Sequence, residues 1–167
     1  MTKPSVTSLV SGSKKEKQRT AKPSDANQIL KNIDLSNVLE IGVEAFRQCY
    51  ELAEISFAKR VTSIESYAFL NCTKLEKVDL STKLASFDGT IFDGCPALAE
   101  VNAPMDSVNF TSKDGVVFNA AATDADLHTL YYYPASKTDK TYTVPESVKT
   151  IYRYAFYDNT QLEEVIL

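Results

Sequence analysis

The sequence predicts an α/β solenoid, right-handed, with parallel strands on its concave side and short helical turns on its convex side. Three observations carry this expectation. Leu52, Ile55, Phe57, Val61, Ile64, Ala68, Phe69 and Cys72 recur 23 residues later as Leu75, Val78, Leu80, Leu84, Phe87, Ile91, Phe92 and Cys95, all of them apolar. Each copy opens with apolar and polar residues in alternation, the mark of a half-buried strand. The chain has 167 residues, 44% of them hydrophobic, which is enough for one core and hardly for two domains. A unit this short presents its apolar face to nothing unless copies stack, with neighbouring strands about 4.8 Å apart.

Taken in chain order, the first stretch differs from the rest. Residues 1–31 hold seven basic residues against two acidic ones, a net of +5, which leaves −9 for the remainder of a chain whose total is −4. From Ser11 to Asn27 apolar periodicity is absent and Ser, Lys, Gln and Pro dominate, so 1–28 reads as a polar basic tail or a partial N-terminal cap. The repeat domain covers 29–167. Its first copy is Leu30, Ile33, Leu35, Val38, Ile41, Ala45, Phe46 and Cys49, one residue short in a loop. Strands are expected over 52–57, 75–80, 98–103 and 162–167, and one helical turn around the Ala-Phe pair of 65–71. The register breaks once. It resumes 64 residues beyond the third copy as Tyr142, Val144, Val148, Ile151, Ala155, Phe156 and Asn159, with an irregular inserted hairpin over about 104–141.

Composition excludes much. A net charge of −4 lacks the basic excess of nucleic-acid binders. No apolar run approaches a membrane span, and the apolar cluster at Val6 to Val10 is broken by Thr7 and Ser8, so no signal peptide is recognisable in this chain. There is one histidine, His128, with no Gly-x-Ser-x-Gly, no phosphate loop and no His-Glu-x-x-His, so neither an enzyme nor a cofactor is expected. Cys49, Cys72 and Cys95 share one repeat position whose fourth holder is Asn159. Side chains at one position of a parallel stack point the same way and three is an odd count, so a buried thiol column is expected rather than disulfides. Without Cys-x-x-Cys or a second histidine, zinc is not expected either.

Strand residues between the buried ones face the concave surface. One column is Asp34, Ser56, Asp79, Asn102, Thr143 and Ile166; its neighbour is Asn32, Glu54, Lys77, Glu100, Thr141 and Glu164. Glu54, Ser56, Lys77, Asp79, Glu100 and Asn102 are the candidate contacts for a partner, although the alternating signs of Glu54, Lys77 and Glu100 also suit cross-strand pairing without any ligand. Asp34 and Asp79, two strands or roughly 9.6 Å apart, are too far from each other to chelate one calcium ion. Tyr131, Tyr132 and Tyr133 lie where the regular stack is interrupted; they cover that seam, or Tyr132 adds a second binding patch. Tyr67 and Tyr154 share a repeat position before Ala-Phe and read as partly buried scaffold. Both ends look unfinished, so the chain is expected to be a piece of a longer array or to self-associate through its C-terminal strand edge.

The spacing Leu-x-x-Ile-x-Leu, Val-x-x-Ile, Ala-Phe-x-x-Cys in Leu52 to Cys72, Leu75 to Cys95 and Val148 to Asn159 resembles the BspA-like leucine-rich repeats. The segment from Asp114 to Pro145 is similar to an inserted hairpin common in that family. The family often has Gly after the Ile of Val-x-x-Ile; Gly42 keeps it, whereas Glu65, Asp88 and Tyr152 do not. The resemblance implies a leucine-rich-repeat solenoid in a secreted or cell-surface, non-enzymatic protein that binds other proteins, often in adhesion. A structural spacer with no ligand of its own and a carbohydrate-binding surface module are the alternatives.

Overall fold

A computed structural model describes residues 28–57 and 59–167, so the basic tail expected over 1–28 lies, but for Gln28, outside the described residues. The repeats supply short strands at two positions, both of them formed in the copy from Leu52 to Cys72. The Val-x-x-Ile segments form β1 (Glu40–Ile41) and β3 (Ser63–Ile64), while the Leu-x-x-Ile/Val-x-Leu segments form β2 (Glu54–Ser56), β4 (Lys77–Asp79) and β5 (Glu100–Asn102). Strands β2, β4 and β5 form one parallel sheet with register Glu54↔Lys77↔Glu100, Ile55↔Val78↔Val101 and Ser56↔Asp79↔Asn102. Every partner is 23 residues away, as the sequence period requires. β1 and β3 pair in parallel as well. The molecule is a β-solenoid of about five turns.

The turns that join these strands on the outer side differ from the helical turn expected over 65–71. Glu44, Tyr67 and Tyr154 adopt φ of 55°, 61° and 62°, and Gln48, Asn71, Gly94 and Asp158 adopt 60°, 60°, 69° and 64°. The two left-handed residues in each of the first, second and last of these turns cannot belong to a right-handed helix, so these segments are tight turns. A left-handed conformation costs a non-glycine residue about 1–2 kcal/mol. The ladder between turns offsets this: Phe46 N–H donates to Ala68 O (2.7 Å), Gln48 to Leu70 O (2.7 Å), Phe69 to Ile91 O (3.0 Å) and Asn71 to Asp93 O (2.8 Å). In the third copy the outer segment does contain a 3-10 helix, Gly89–Phe92, whose first turn is capped by Asp88 accepting from the Thr90 amide.

Between β5 and the resumed register come β6 (Phe110–Lys113) and β7 (Val116–Asn119), an antiparallel pair joined by Asp114 and Gly115 at φ of 52° and 77°. A two-residue turn with both φ positive matches the twist of the strands it joins. β8 (Thr129–Tyr132) runs antiparallel to β7 on one side and parallel to β10 (Thr150–Ile151) on the other. β9 (Thr141–Thr143) and β11 (Glu164–Ile166) pair in parallel, again 23 residues apart. The repeat returns earlier than the expected interruption over 104–141 allows. Tyr132 and Tyr133 stand 23 residues before Ala155 and Phe156, and Tyr133 N–H donates to Ala155 O (2.7 Å) as Phe46 does to Ala68. However, Thr129 and Leu130 pair with Thr150 and Ile151, only 21 residues on, so this turn is two residues short on its outer side.

Of the two expectations for Tyr132, seam cover and a second binding patch, these facts overturn the second. It is 2% exposed, its ring lying 5.8 Å from Phe87 and 6.0 Å from Phe92, and it offers no surface to a partner. It stands where other copies carry Ala or Ile, and burial there is what the stack demands of that position.

The interior is built from rows. Phe46 and Phe69 stack with ring centroids 5.1 Å apart and planes 16° apart, Phe92 follows 5.7 Å from Phe69, and Tyr133 lies 5.3 Å from Phe156. Beside this row the three cysteines are buried and free. Cys72 Sγ donates to Phe46 O (3.2 Å) and Cys95 Sγ to Phe69 O (3.1 Å), tying each turn to the one before. Asn159 does the same with an amide, donating to Pro134 O and Lys137 O while accepting from the Gln161 and Leu162 amides. The core divides at the interruption. Val117 of β7 faces the first part and its neighbours Val116 and Phe118 the second, as alternation along a strand dictates.

Two consequences are measurable. Phe69→Ala, which empties a row flanked on both sides, is expected to destabilise the fold by about 3–5 kcal/mol in urea denaturation. The Cys49 thiol is pushed above its usual 9.0 by its hydrogen-bonding contact with the Cys72 thiol and by burial. For Cys72 the bond from Cys49 acts downward, but Cys95 and burial raise it on balance. Tyr142 is pushed up to about 12, by burial and then by Asp114 and Asp139. Groups raised on folding keep protons that the unfolded chain gives up, so stability is full below about pH 9 and falls as pH rises above it. Denaturation midpoints between pH 7 and pH 11 check this, and a midpoint that climbs with pH would contradict it.

Candidate functional site

The six candidate strand residues other than Tyr132 are brought together as the register requires. Glu54, Ser56 and Glu100 are exposed and Lys77, Asp79 and Asn102 half-buried, while Ile55, Val78 and Val101 between them are in the core. The alternation that fixes one row inward therefore holds the other outward on a backbone with little freedom to rearrange. Asn102 Nδ2 bridges to Asp79 Oδ1 (3.3 Å) and to Glu100 Oε2 (3.4 Å). Among the described residues Lys77 makes no ion pair, so the cross-strand pairing that its alternation with Glu54 and Glu100 suits is not formed. Its ammonium is left for solvent or for a partner.

Beyond β5 the ladder is interrupted, and the hairpin tip takes the place of the next strand, Gly115 O accepting from Val101 N–H (3.3 Å). The tip covers only part of that edge. A cleft of about 490 Å³ opens there, lined by Glu100, Asn102, Ser112, Asp114, Lys137 and Asp139 among others, and a second of about 410 Å³ continues past Asp114, Lys137 and Asp139 to Thr141 and Tyr142 of β9. Lys137 Nζ donates to Asp114 O (3.0 Å) and sits 3.7 Å from Asp139, which also accepts from the Tyr133 hydroxyl (2.9 Å). Burial first, and then this bond to Asp139, raise the Tyr133 phenol. The cleft thus joins the two strand stacks into one polar surface.

Sequence reasoning placed the strand residues and missed the cleft. Asp114, Lys137 and Asp139 belong to segments outside the periodic pattern, and only the antiparallel fold of β6, β7 and β8 brings them beside Glu100. Their one sequence signal was the Asp114-Gly115 pair between two apolar runs. Tyr67 and Tyr154, expected as partly buried scaffold, are instead exposed on the outer turns, because their left-handed backbone turns the side chain away from the row. Among the described residues no three His, Cys, Asp or Glu side chains gather as a metal site, and no helix is long and apolar enough to cross a membrane.

Comparison with known proteins agrees with this geometry. The chain is similar to a leucine-rich cell surface protein of Faecalibacterium prausnitzii A2-165, at 26% identity and a TM-score of 0.63 over 77% of this chain and 32% of that one. It is similar to the pneumococcal vaccine antigen PcpA, at 26% identity and a TM-score of 0.69 over 83% of this chain and 40% of that one. A leucine-rich repeat protein of Eubacterium ventriosum shares the fold at 18% identity and a TM-score of 0.51, over 79% of this chain and 46% of that one. The chain therefore spans less than half the length of these structures. No curated protein matches it. The model of the BspA-type leucine-rich repeat region matches six copies over residues 26–120 and 131–167, leaving unmatched the first 25 residues and 121–130 within the interruption, and the chain belongs to that family.

Proposed function

We propose that this chain is a non-enzymatic protein-binding module of a secreted or surface-displayed protein, serving adhesion or partner capture, and that the strand face is its contact surface. One observation supports this most: Glu54, Ser56, Lys77, Asp79, Glu100 and Asn102 form two straight columns of solvent-accessible polar groups over a fixed apolar row. Such a surface loses little side-chain and backbone freedom when a partner docks, which favours affinity. Lys77, which has no ion pair among the described residues, and the polar cleft beside Glu100 add charge pattern and relief, the features by which one partner is told from another. The cell-surface description of the Faecalibacterium protein supports the location.

The test is capture on an array of extracellular proteins, with Lys77→Glu and Asp79→Lys introduced together. Both side chains are solvent-accessible, so the fold should persist. Loss of their contacts is expected to weaken capture about tenfold, or roughly 1.4 kcal/mol. Unchanged capture would move the site elsewhere, and no capture of any protein by the parent chain would favour a spacer that displays other domains.

A further inference from the structure

Three large exposed side chains, Tyr67, Tyr154 and Tyr157, are 38%, 50% and 48% exposed and sit on outer turns rather than on the strand face. Tyr67 flanks the third copy through its N–H bond to Thr90 O (3.2 Å), and the turn at β8, two residues short on this side, brings Tyr154 and Tyr157 toward the same copy. The turn after β8 reaches across to that copy: Arg153 Nη2 pairs with Asp88 (2.7 Å), and Asp158 Oδ2 accepts from Gly94 N–H (2.6 Å). A Cβ on Gly89 would stand 2.8 Å from Tyr154 O, so glycine permits the approach. Tyr154 and Tyr157 meet edge to face with centroids 5.9 Å apart.

This contact also sets Asp93 and Asp158 beside Tyr157. Neither carboxylate has an ion-pair partner among the described residues. The bond from Gly94 N–H brings the Asp158 carboxylate next to the residue after Asp93, so two carboxylates share this corner; burial and then Asp158 raise the Asp93 carboxyl, and both carboxylates raise the Tyr157 phenol. The nearby guanidinium, Arg153, is committed to Asp88, whose carboxyl burial would raise but which the Thr90 amide and hydroxyl and then Arg153 hold low. Arg153 also lies 5.9 Å from the Tyr154 ring centroid. The chain thus already places one guanidinium on this patch.

We propose that Tyr67, Asp93, Tyr154, Tyr157 and Asp158 form a second interaction surface, and that it receives an arginine-bearing segment of a partner protein. A planar guanidinium stacks on an aromatic face while its edge donates to carboxylates, and this patch offers exposed rings beside carboxylates that no cation neutralises. A neutral glycan also uses aromatic faces, but it brings no positive charge to the two carboxylates, which a guanidinium does. The surface is separate from the strand face and does not depend on the proposal made for it.

The experiment is an amide-shift titration of the full ¹⁵N-labelled chain with a short peptide of alternating Arg and Gly, with the same peptide carrying neutral citrulline for Arg, and with cellohexaose. Shifts from the arginine peptide are expected to concentrate at 67, 93–94 and 153–158 and to be absent with the citrulline peptide. Tyr157→Ser and Asp93→Asn should each weaken binding about tenfold with the thermal midpoint held. Tyr67→Asn, which tolerates the left-handed backbone, serves the same purpose if either of those variants fails to fold. Shifts gathered on the strands at 54–102, equal shifts with citrulline, none up to about 1 mM peptide, unchanged binding in the folded variants, or stronger binding of cellohexaose would each overturn the proposal.

Discussion

No turn of this chain closes its own core. Each apolar row is completed by the turn before and the turn after it, and the strand and the outer bend must stay in register together, so the number of residues per turn is the quantity that cannot vary freely. The face-to-face contact of Phe46 on Phe69 and the hydrogen bonds from outer turn to outer turn express that constraint in side chain and backbone. It also explains why Glu44, Tyr67 and Gln48 tolerate left-handed backbone: the ladder over-determines conformations that these residues would not adopt alone.

Where the count per turn changes, the molecule acquires its particular features. The hairpin of β6 and β7 replaces a strand, and its Asp114-Gly115 tip seals only part of the edge of β5, which leaves the cleft beside Glu100 and Asn102. The turn at β8 regains the row through Tyr132 and Tyr133, but two missing residues let Arg153 and Asp158 reach back to Asp88 and Gly94. A perfectly regular array would have neither the cleft nor the tyrosine patch. Both arise from the same lapse in the period, one on each side of the stack.

The regular part was legible in the sequence because one period governs it. The pairs Glu54↔Lys77↔Glu100 and the inward row Ile55, Val78 and Val101 follow from alternation plus a 23-residue offset, and both were read correctly. The outer turns read as helical because Ala-Phe flanked by helix formers has that pattern; Asn71, Gly94 and Asp158 at one repeat position are types that accept left-handed backbone and are the signal available, whereas Tyr67 leaves none. For Tyr132 the sequence leaves seam cover and a second binding patch both open, because an aromatic run looks the same whether it covers a seam, fills a row or is exposed. Its 23-residue relation to Ala155 was the available clue, hidden by the difference in size between Tyr and Ala.

The most direct test of the stacked interior is a nuclear Overhauser spectrum with the phenylalanine rings assigned. Ring centroids 5.1 Å and 5.7 Å apart require strong cross-peaks from Phe46 to Phe69 and from Phe69 to Phe92, with none joining Phe46 directly to Phe92. Rings that show no mutual cross-peaks, each contacting residues of its own turn alone, would contradict the shared interior on which the strand face and both irregular features depend.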